Sequence, residues 1–252
     1  MADEITLEVL FQLQDRAAKY NWENSLIVQK RLAFVSEAIT LAATVLSSMR
    51  FYDHKQHSLR VLGTDAVSSI VTSVRVGLWG NLPESTALLR SALETSSILA
   101  TLVVSQEYEA FTAELGTERM RRYSYKNAVS RLGDLGSKID YLWGRLSNIG
   151  AHSTGTRMKF ESYQLNGEAH DRLGAALELG TAELALYYAP DVCLHLLESF
   201  STAYSQDSAN FPEPERLTKL RASFRDDISR NVKSGLPDLV PQPTPAKGEG
   251  RS

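Results

Sequence analysis

The sequence predicts an all-α protein. Apolar residues recur at the spacing of an amphipathic helix along almost the whole chain, whereas runs of alternating β-branched residues hardly occur. The chain has 252 residues, of which 43% are apolar, and this is ample for a sizeable core in one large domain or two small ones. The pattern therefore favours a bundle of packed helices.

The first part of the chain contains three predicted helices. Residues 1–24 include an amphipathic stretch, and a longer helix is expected over 25–52. A third helix is expected from Thr64. The run Gly77-Leu78-Trp79-Gly80-Asn81 should end it, because glycine and asparagine suit a helix terminus and a turn.

A fourth helix is predicted over 83–104. Pro83 suits its first turn, where no amide proton is needed, and Glu84 suits the positive end of the helix dipole. The helix is apolar around much of its circumference apart from one narrow polar stripe, formed by Arg90, Glu94, Ser97 and Thr101.

This polar stripe has two interpretations. It could face water, with Arg90 and Glu94 as an ordinary i,i+4 ion pair. Alternatively it could face a polar cleft, where Arg90 could hold a phosphate and Glu94 could orient another cation.

Residues 105–132 continue a more polar helical pattern in which basic residues alternate with Tyr123 and Tyr125. Such a run is typical of a solvated helix face, but cations beside aromatic rings could also contact RNA backbone and bases. Gly133 and Gly136 should then break the chain.

A helix capped by Ser137 and ending near Gly150 is expected after this break. Residues 154–167 predict an irregular arm or short hairpin. A helical pattern resumes near Gly180, and Pro190 could kink it or begin a second segment.

A charged helix is expected over about residues 213–233. The predicted organisation of the chain has four parts. The final segment is rich in proline and glycine, which predicts a flexible tail. The four parts are an N-terminal helix over 1–24, a helical bundle over 25–205, a charged C-terminal helix over 206–234 and a disordered tail over 235–252.

The composition excludes several classes of protein. A net charge of −3 argues against a positive field over the whole chain, although a local basic patch remains compatible with it. The single cysteine, Cys193, lies in an apolar helical stretch and is expected to be a buried structural thiol. We expect a cytoplasmic protein without membrane contact, because the N-terminus lacks a signal-peptide pattern and no continuous apolar run approaches 18 residues.

No metal or cofactor is expected. Asp53, His54 and His57 form one short cluster without a second set of ligands, and surface histidines explain it. His170 is unassigned, and His195 is expected to pack within an apolar helix. The sequence has no phosphate-binding glycine loop, nucleophile elbow or zinc-protease motif.

Arg145 and His152 are the principal candidates for chemistry. Seven residues at about 100° each return a helix to within roughly 20° of its starting direction, so the two side chains share one face with Lys138. Imidazole transfers protons near neutral pH, and a guanidinium stabilises a pentavalent phosphate oxyanion. The pair therefore suits phosphodiester chemistry.

The segment from Arg145 to His152 resembles the HEPN superfamily of small helical bundles, which has an arginine followed after four to six residues by a histidine. The preceding LLRSALETS segment also resembles uncharacterised bacterial HEPN-like proteins, in which an arginine and a glutamate precede the histidine-bearing helix. The resemblance covers about residues 25–205. It implies a HEPN-like helical bundle with a short arm or hairpin and a flexible C-terminal tail.

The resemblance implies a metal-independent endoribonuclease with a composite site in a homodimer, acting as a toxin or defence effector. Arg145 and His152 would be its catalytic residues, and Arg90, Glu94 and Asn148 would be supporting or RNA-binding residues. Leu146 departs from the pattern, because many active members have a polar residue directly after the arginine.

Three alternatives remain open. His152 could complement the negative C-terminal end of its helix while Arg145 covers the border of the apolar face. The chain could instead be a noncatalytic interaction module for a regulatory protein partner, or it could bind a nucleotide or signalling ligand around Arg90 and Arg145.

Overall fold

The all-α prediction is confirmed: the described part of the chain folds as a helical bundle with one short hairpin. The computed structural model describes residues 7–49, 53–114, 122–150, 162–165, 168–171, 179–207 and 210–233. Its elements are α1 (Leu7–Asn24), α2 (Leu26–Ser48), α3 (His54–Leu78), α4 (Leu82–Ser105), α5 (Tyr108–Ala113), α6 (Tyr125–Ser130), α7 (Gly133–Gly150), β1 (Ser162–Leu165), β2 (Glu168–Asp171), α8 (Leu179–Ala185), α9 (Ala189–Gln206) and α10 (Pro214–Lys233).

Side-chain caps define the starts of α2 and α3. The Ser25 hydroxyl accepts a hydrogen bond from the Val28 amide at 3.1 Å, and the Asp53 carboxylate accepts one from the Gln56 amide at 2.6 Å. The expected start of the third helix at Thr64 is wrong, because the Asp53 cap begins it ten residues earlier. The second helix ends at Ser48 and not at residue 52.

Helix α4 forms the centre of the bundle. It packs against α3, α6, α7, α8 and α9, and its leucines at 89, 93, 99 and 102 are fully buried. Its bounds agree with the predicted helix over 83–104, with Pro83 in its first turn. These five helices are therefore arranged around α4.

The expected helical pattern over 105–132 is interrupted at its start. Gln106 adopts a left-handed conformation, with a φ of 57°, and ends α4, and the short helices α5 and α6 follow. Residues 115–121 lie outside the described residues. Helix α7 begins at Gly133, with a φ of 55°, and Ser137 lies inside it and does not cap it. At Gly136 an added Cβ would lie 2.1 Å from the Val129 carbonyl oxygen, which explains the glycine there.

The expected arm contains a hairpin. Strands β1 and β2 pair antiparallel, with Ser162 opposite Asp171 and Leu165 opposite Glu168. Asn166 and Gly167 therefore stand between the strands in the sequence, and the hairpin extends to residue 171, beyond the expected end at 167. Residues 154–161 lie outside the described residues.

Pro190 begins a new helix, which decides between the two predictions for it. Helix α8 ends at Ala185, and α9 starts at Ala189 with Pro190 in its first turn. The buried thiol of Cys193 confirms the expected structural position, and burial raises its pKa to about 12.

The charged helix α10 packs on the bundle through α2 and α9. Leu217 and Leu220 are buried in the main hydrophobic core, and the rings of Phe224 and Phe34 lie 6.1 Å apart. The core is therefore continuous across residue 206. The expected tail over 235–252 lies outside the described residues.

Three described helices are long and apolar enough to cross a membrane, judged by length and composition alone. They are α2, α3 and α4, whose most apolar windows have mean hydropathies of 1.2, 1.2 and 1.4. In the bundle 56% of the α4 window is buried, against 33% for α2 and 28% for α3. The expected absence of membrane contact and the cytoplasmic location stay predictions.

Candidate functional site

Helix α7 presents Arg145 to a large cleft. Lys138, Tyr141, Leu142 and Arg145 follow one another at i, i+3, i+4 and i+7, and all of them line it. Arg145 itself is only 7% exposed. It is therefore more deeply buried than a residue at the border of an apolar face, which was one alternative for it.

Two tyrosines hold the Arg145 guanidinium. Its carbon lies 5.7 Å from the centre of the Tyr141 ring, one turn earlier on α7. The guanidinium also donates a hydrogen bond to the hydroxyl of Tyr188, at the start of α9. Burial raises the pKa of Tyr188, and the nearby Arg145 charge opposes that rise. Arg145 is thus fixed between α7 and α9.

The cleft has a volume of about 960 Å³ and lies between α4, α7, α9 and α10. Side chains of α4, including Leu93, Ala100 and Val103, contribute apolar surface to it. Its size lies within the range of clefts that bind small molecules, and its lining is mostly apolar.

One face of α9 supplies the polar groups opposite α7. Tyr188, Asp191, His195 and Glu198 are spaced at i, i+3, i+7 and i+10 and all line the cleft. Glu198 pairs with Arg221 of α10 at 2.5 Å. This face therefore combines a phenol, an imidazole and two carboxyl groups.

Burial shifts the titration of two of these groups in opposite directions. It raises the pKa of Asp191 to about 7, although its own backbone amide and the charge of Arg31 act against the rise. Burial lowers the pKa of His195 to about 4, so its imidazole is neutral at pH 7. The His195 Nε2 atom lies 3.5 Å from the Ser97 hydroxyl.

The described lining of the cleft carries more positive than negative side chains. Two acidic residues, Asp191 and Glu198, face a larger set of cations. This balance is opposite in sign to the net charge of the whole chain, −3. The cleft lining therefore has a small excess of positive charge. The cationic lining residues are Lys138, Arg145, Arg221 and Arg225.

Arg90 and Glu94 belong to a different cluster. Trp143 donates its indole N–H to Glu94 at 2.6 Å, and Arg90 lies 3.5 Å from the same carboxylate and 5.6 Å from the Trp143 ring centre. The Tyr125 ring stacks on the Trp143 ring, with the ring centres 5.1 Å apart. Trp143 and Arg145 point about 200° apart on α7, so Arg90 and Arg145 are not brought together.

The remainder of the predicted polar stripe is buried. The Ser97 hydroxyl donates to the Leu93 carbonyl at 2.6 Å, and the Thr101 hydroxyl contacts the Ala128 carbonyl of α6 at 3.1 Å. Glu94 borders a smaller recess of about 550 Å³, which Tyr123 and Tyr125 also line. The stripe therefore does not form one surface: Arg90 and Glu94 belong to the Trp143 cluster, and Thr101 contacts α6.

Two further predicted site residues lie near the end of α7. Asn148 is exposed and is not among the described residues that line the cleft. His152 lies outside the described residues, two positions after α7 ends at Gly150. The expected end of the helix near Gly150 is confirmed.

Among the described residues, no group of three or more histidine, cysteine or acidic side chains could hold a metal ion. The Asp53 cluster forms a helix start: Asp53 caps α3, and His54 Nδ1 lies 2.6 Å from the Thr112 hydroxyl. The His170 side chain lies outside the described residues.

Sequence reasoning missed Tyr141, Tyr188 and Asp191. The signal was present as two helical rows, since 138, 141 and 145 share a face, as do 188, 191, 195 and 198. The sequence alone does not show that these faces of α7 and α9 line the same cleft beside α4. His195 was assigned only to packing, and it also lines the cleft.

Comparison of the chain with family models, curated proteins and solved structures gives no match. The HEPN resemblance stays a prediction.

Proposed function

We propose that the protein is a metal-independent endoribonuclease that cleaves RNA by attack of a ribose 2′-hydroxyl on the adjacent phosphate. The observation that carries the proposal is the fixed guanidinium of Arg145 in the wall of a large cleft with a cationic excess. Toxin or defence activity and a homodimer are parts of the proposal that come from the HEPN resemblance alone. A regulatory protein partner belongs to the alternative of a noncatalytic interaction module.

The chemistry assigns separate tasks to Arg145 and His152. The 2′-oxygen forms a bond to phosphorus while the bond from phosphorus to the 5′-oxygen breaks. His152 assists transfer of the 2′-hydroxyl proton, and the departing 5′-oxygen gains a proton. Arg145 stabilises the negative charge that develops on the phosphate. The products are a 2′,3′-cyclic phosphate and a 5′-hydroxyl end.

The contacts of Arg145 support this task. A guanidinium that contacts the Tyr141 ring and the Tyr188 hydroxyl is oriented before substrate arrives. A preorganised donor stabilises a transition state without a reorganisation cost during the reaction. Lys138 and Arg225 would attract the RNA backbone to the same cleft, whereas the charge of Arg221 is balanced by Glu198.

The test is cleavage of a mixed single-stranded RNA pool in EDTA, with the new ends mapped. Wild-type protein should give 2′,3′-cyclic phosphate ends, and folded His152→Ala protein should give none. His57→Ala is the matched control, because His57 lies on α3 beside the smaller recess, and it should cleave like wild type. Inactive wild-type protein, or equal cleavage by wild type and His152→Ala, would overturn the proposal.

A second candidate is noncatalytic capture of a ligand or partner segment in the same cleft. The mostly apolar lining favours it, since apolar walls with a few polar groups are typical of binding sites. This candidate predicts saturable binding without new RNA ends. The EDTA experiment therefore separates the two functions.

A further inference from the structure

Tyr141 is an unusual residue in the wall of the cleft, because its side chain is both aromatic and exposed. It is 62% exposed, although it lies in the middle of α7 on the face that lines the cleft. Tyr188, across the cleft, is only 7% exposed. The Arg145 guanidinium lies 5.7 Å from the centre of the Tyr141 ring and covers one of its faces. Tyr141 therefore offers its other face to a ligand, whereas Tyr188 is buried.

The other tyrosine of the cleft, Tyr187, is engaged with protein groups. The guanidinium of Arg31 lies 4.8 Å from its ring centre, and its ring meets that of Tyr188 edge to face at 4.8 Å. These contacts make Tyr187 and Tyr188 parts of the wall. Of the described aromatic rings lining the cleft, Tyr141 is the one with most of its surface in solvent.

Cations stand on both sides of Tyr141 along α7. Lys138 precedes it by three residues and Arg145 follows it by four, so the two are separated by about 10 Å along the helix axis. All three side chains line the cleft. A flat ring between two cations matches an unpaired base with a phosphate on either side.

The opposite wall adds little negative charge to oppose such a ligand. Glu198 is paired with Arg221, and burial raises the pKa of Asp191 to about 7, so that carboxyl group is partly neutral near pH 7. A polyanion would therefore meet a cationic α7 and a nearly neutral α9.

We infer that Tyr141 is a base-stacking platform and that the cleft takes single-stranded RNA, with one base on the Tyr141 ring between Lys138 and Arg145. The inference rests on the proposed function, because it names the substrate class of the same site. Bases in a duplex are already stacked on their neighbours and cannot reach the ring, so duplex RNA is excluded as the preferred ligand.

The test measures binding separately from cleavage. All proteins carry His152→Ala so that the RNA stays intact, and the probe is a fluorescein-labelled single-stranded RNA of about 12 nucleotides. Tyr141→Ala should raise the Kd about tenfold, and Tyr141→Phe should leave it within about twofold, because phenylalanine keeps the stacking face. Tyr20→Ala on α1 is the matched control, as Tyr20 is 41% exposed and distant in sequence, and it should bind like the parent.

Two further readouts report stacking itself. A 2-aminopurine in the RNA should lose fluorescence on binding the parent protein and keep it with Tyr141→Ala. A duplex of the same sequence should bind at least about tenfold more weakly than the single strand.

The inference is overturned if Tyr141→Ala binds like the parent, if the duplex binds as tightly as the single strand, or if RNA does not bind at all. The two proposals fail separately. If binding depends on Tyr141 and the wild-type protein makes no new RNA ends, the nuclease is refuted and RNA binding stays in place. Cleavage that depends on His152 with binding that ignores Tyr141 refutes the stacking platform alone.

Discussion

Two faces of α7 carry similar side chains and differ in what surrounds them. On one face Trp143 binds Glu94, lies beside Arg90 and stacks on Tyr125, so these groups mainly contact one another. On the other face Arg145 contacts Tyr141 and Tyr188 at the edge of a cleft of about 960 Å³. An arginine among aromatic rings is therefore a structural feature in one place and a candidate site in the other.

The comparison shows that the direction in which a side chain points from α7 decides whether it belongs to the structural cluster or to the candidate site. Positions 143 and 145 are two residues apart and point about 200° apart. Trp143 thus faces the contact with α4 and α6, whereas Arg145 faces the gap towards α9. Residue type alone would assign the same role to both clusters.

The largest expected effect is on RNA cleavage. Arg145→Gln should lower the cleavage rate about 100- to 1000-fold, because a positioned donor to the developing oxyanion is lost. Arg90→Gln, the matched change in the other cluster, should stay within about threefold of wild type. Single-turnover rates on one RNA substrate check this, and equal losses for both variants would remove the distinction between the faces.

The second prediction concerns stability, and here the larger effect is expected on the Trp143 face of α7. Trp143→Ala should lower the free energy of unfolding by about 2–3 kcal/mol, because a half-buried ring and its hydrogen bond are lost. Tyr141→Ala should cost less than about 0.5 kcal/mol, since that ring is mostly in solvent. Urea unfolding measures both, and a larger loss for Tyr141→Ala would contradict the assigned roles.

The third prediction is a pH dependence of the cleft face. Below about pH 4 Asp191 is protonated in both the folded and the unfolded protein. As the pH rises from 4 to 7, the unfolded chain ionises while the folded protein, with its Asp191 pKa near 7, keeps the proton, so the wild type loses stability. Asp191→Asn lacks this loss.

Relative to wild type, Asp191→Asn should therefore gain about 1–2 kcal/mol of unfolding free energy at pH 8 and almost nothing at pH 3. The gain is smaller than the roughly 4 kcal/mol of the full pKa shift, because part of the Asp191 side chain is exposed to solvent. The lowered pKa of His195 costs stability as the pH falls from about 6.5 to 4. This cost is the same in wild type and in Asp191→Asn, so it cancels when their unfolding free energies are compared. Urea unfolding at the two pH values measures the gain. A gain of equal size at both would contradict the burial of the Asp191 carboxyl group.

The smallest expected effect separates charge from hydrogen bonding in the structural cluster. Glu94→Gln keeps an acceptor for the Trp143 indole and loses the half-exposed ion pair with Arg90, which should cost about 0.5 kcal/mol. Glu94→Ala also removes the acceptor and should cost about 1.5 kcal/mol. Equal costs in urea unfolding would show that the charge, and not the hydrogen bond, holds the cluster.

Much of the fold could be predicted from local signals. Ser25 caps α2, Pro83 and Pro190 lie in the first turns of α4 and α9, and the pattern around Asn166 and Gly167 predicted the hairpin. Each of these signals acts within a few residues. Local chemistry is therefore enough to place these elements.

The errors occurred where a single residue overrides the periodicity. Asp53 was considered with its neighbouring histidines, and its cap on Gln56 begins α3 earlier than the apolar row suggests. Gln106 takes a left-handed conformation and interrupts a pattern that otherwise continues as helix. Hydrophobic spacing does not report either event.

The candidate site was predictable only in part. The seven-residue spacing correctly put Lys138 and Arg145 on one face, yet Lys138 is exposed while Arg145 is buried. The difference arises from Tyr188 on α9, more than 40 positions further along the chain. Pairing of two helix faces is a tertiary property, and sequence spacing within one helix cannot give it.

The most direct test of the central claim, that RNA meets the Arg145 face of α7, is photocrosslinking of single-stranded RNA containing 4-thiouridine to the His152→Ala protein, with crosslinked residues identified by mass spectrometry. We predict crosslinks at Tyr141 and on the α9 wall of the cleft. Crosslinks at Trp143, Tyr125 or Tyr123, or an absence of crosslinks, would contradict the claim.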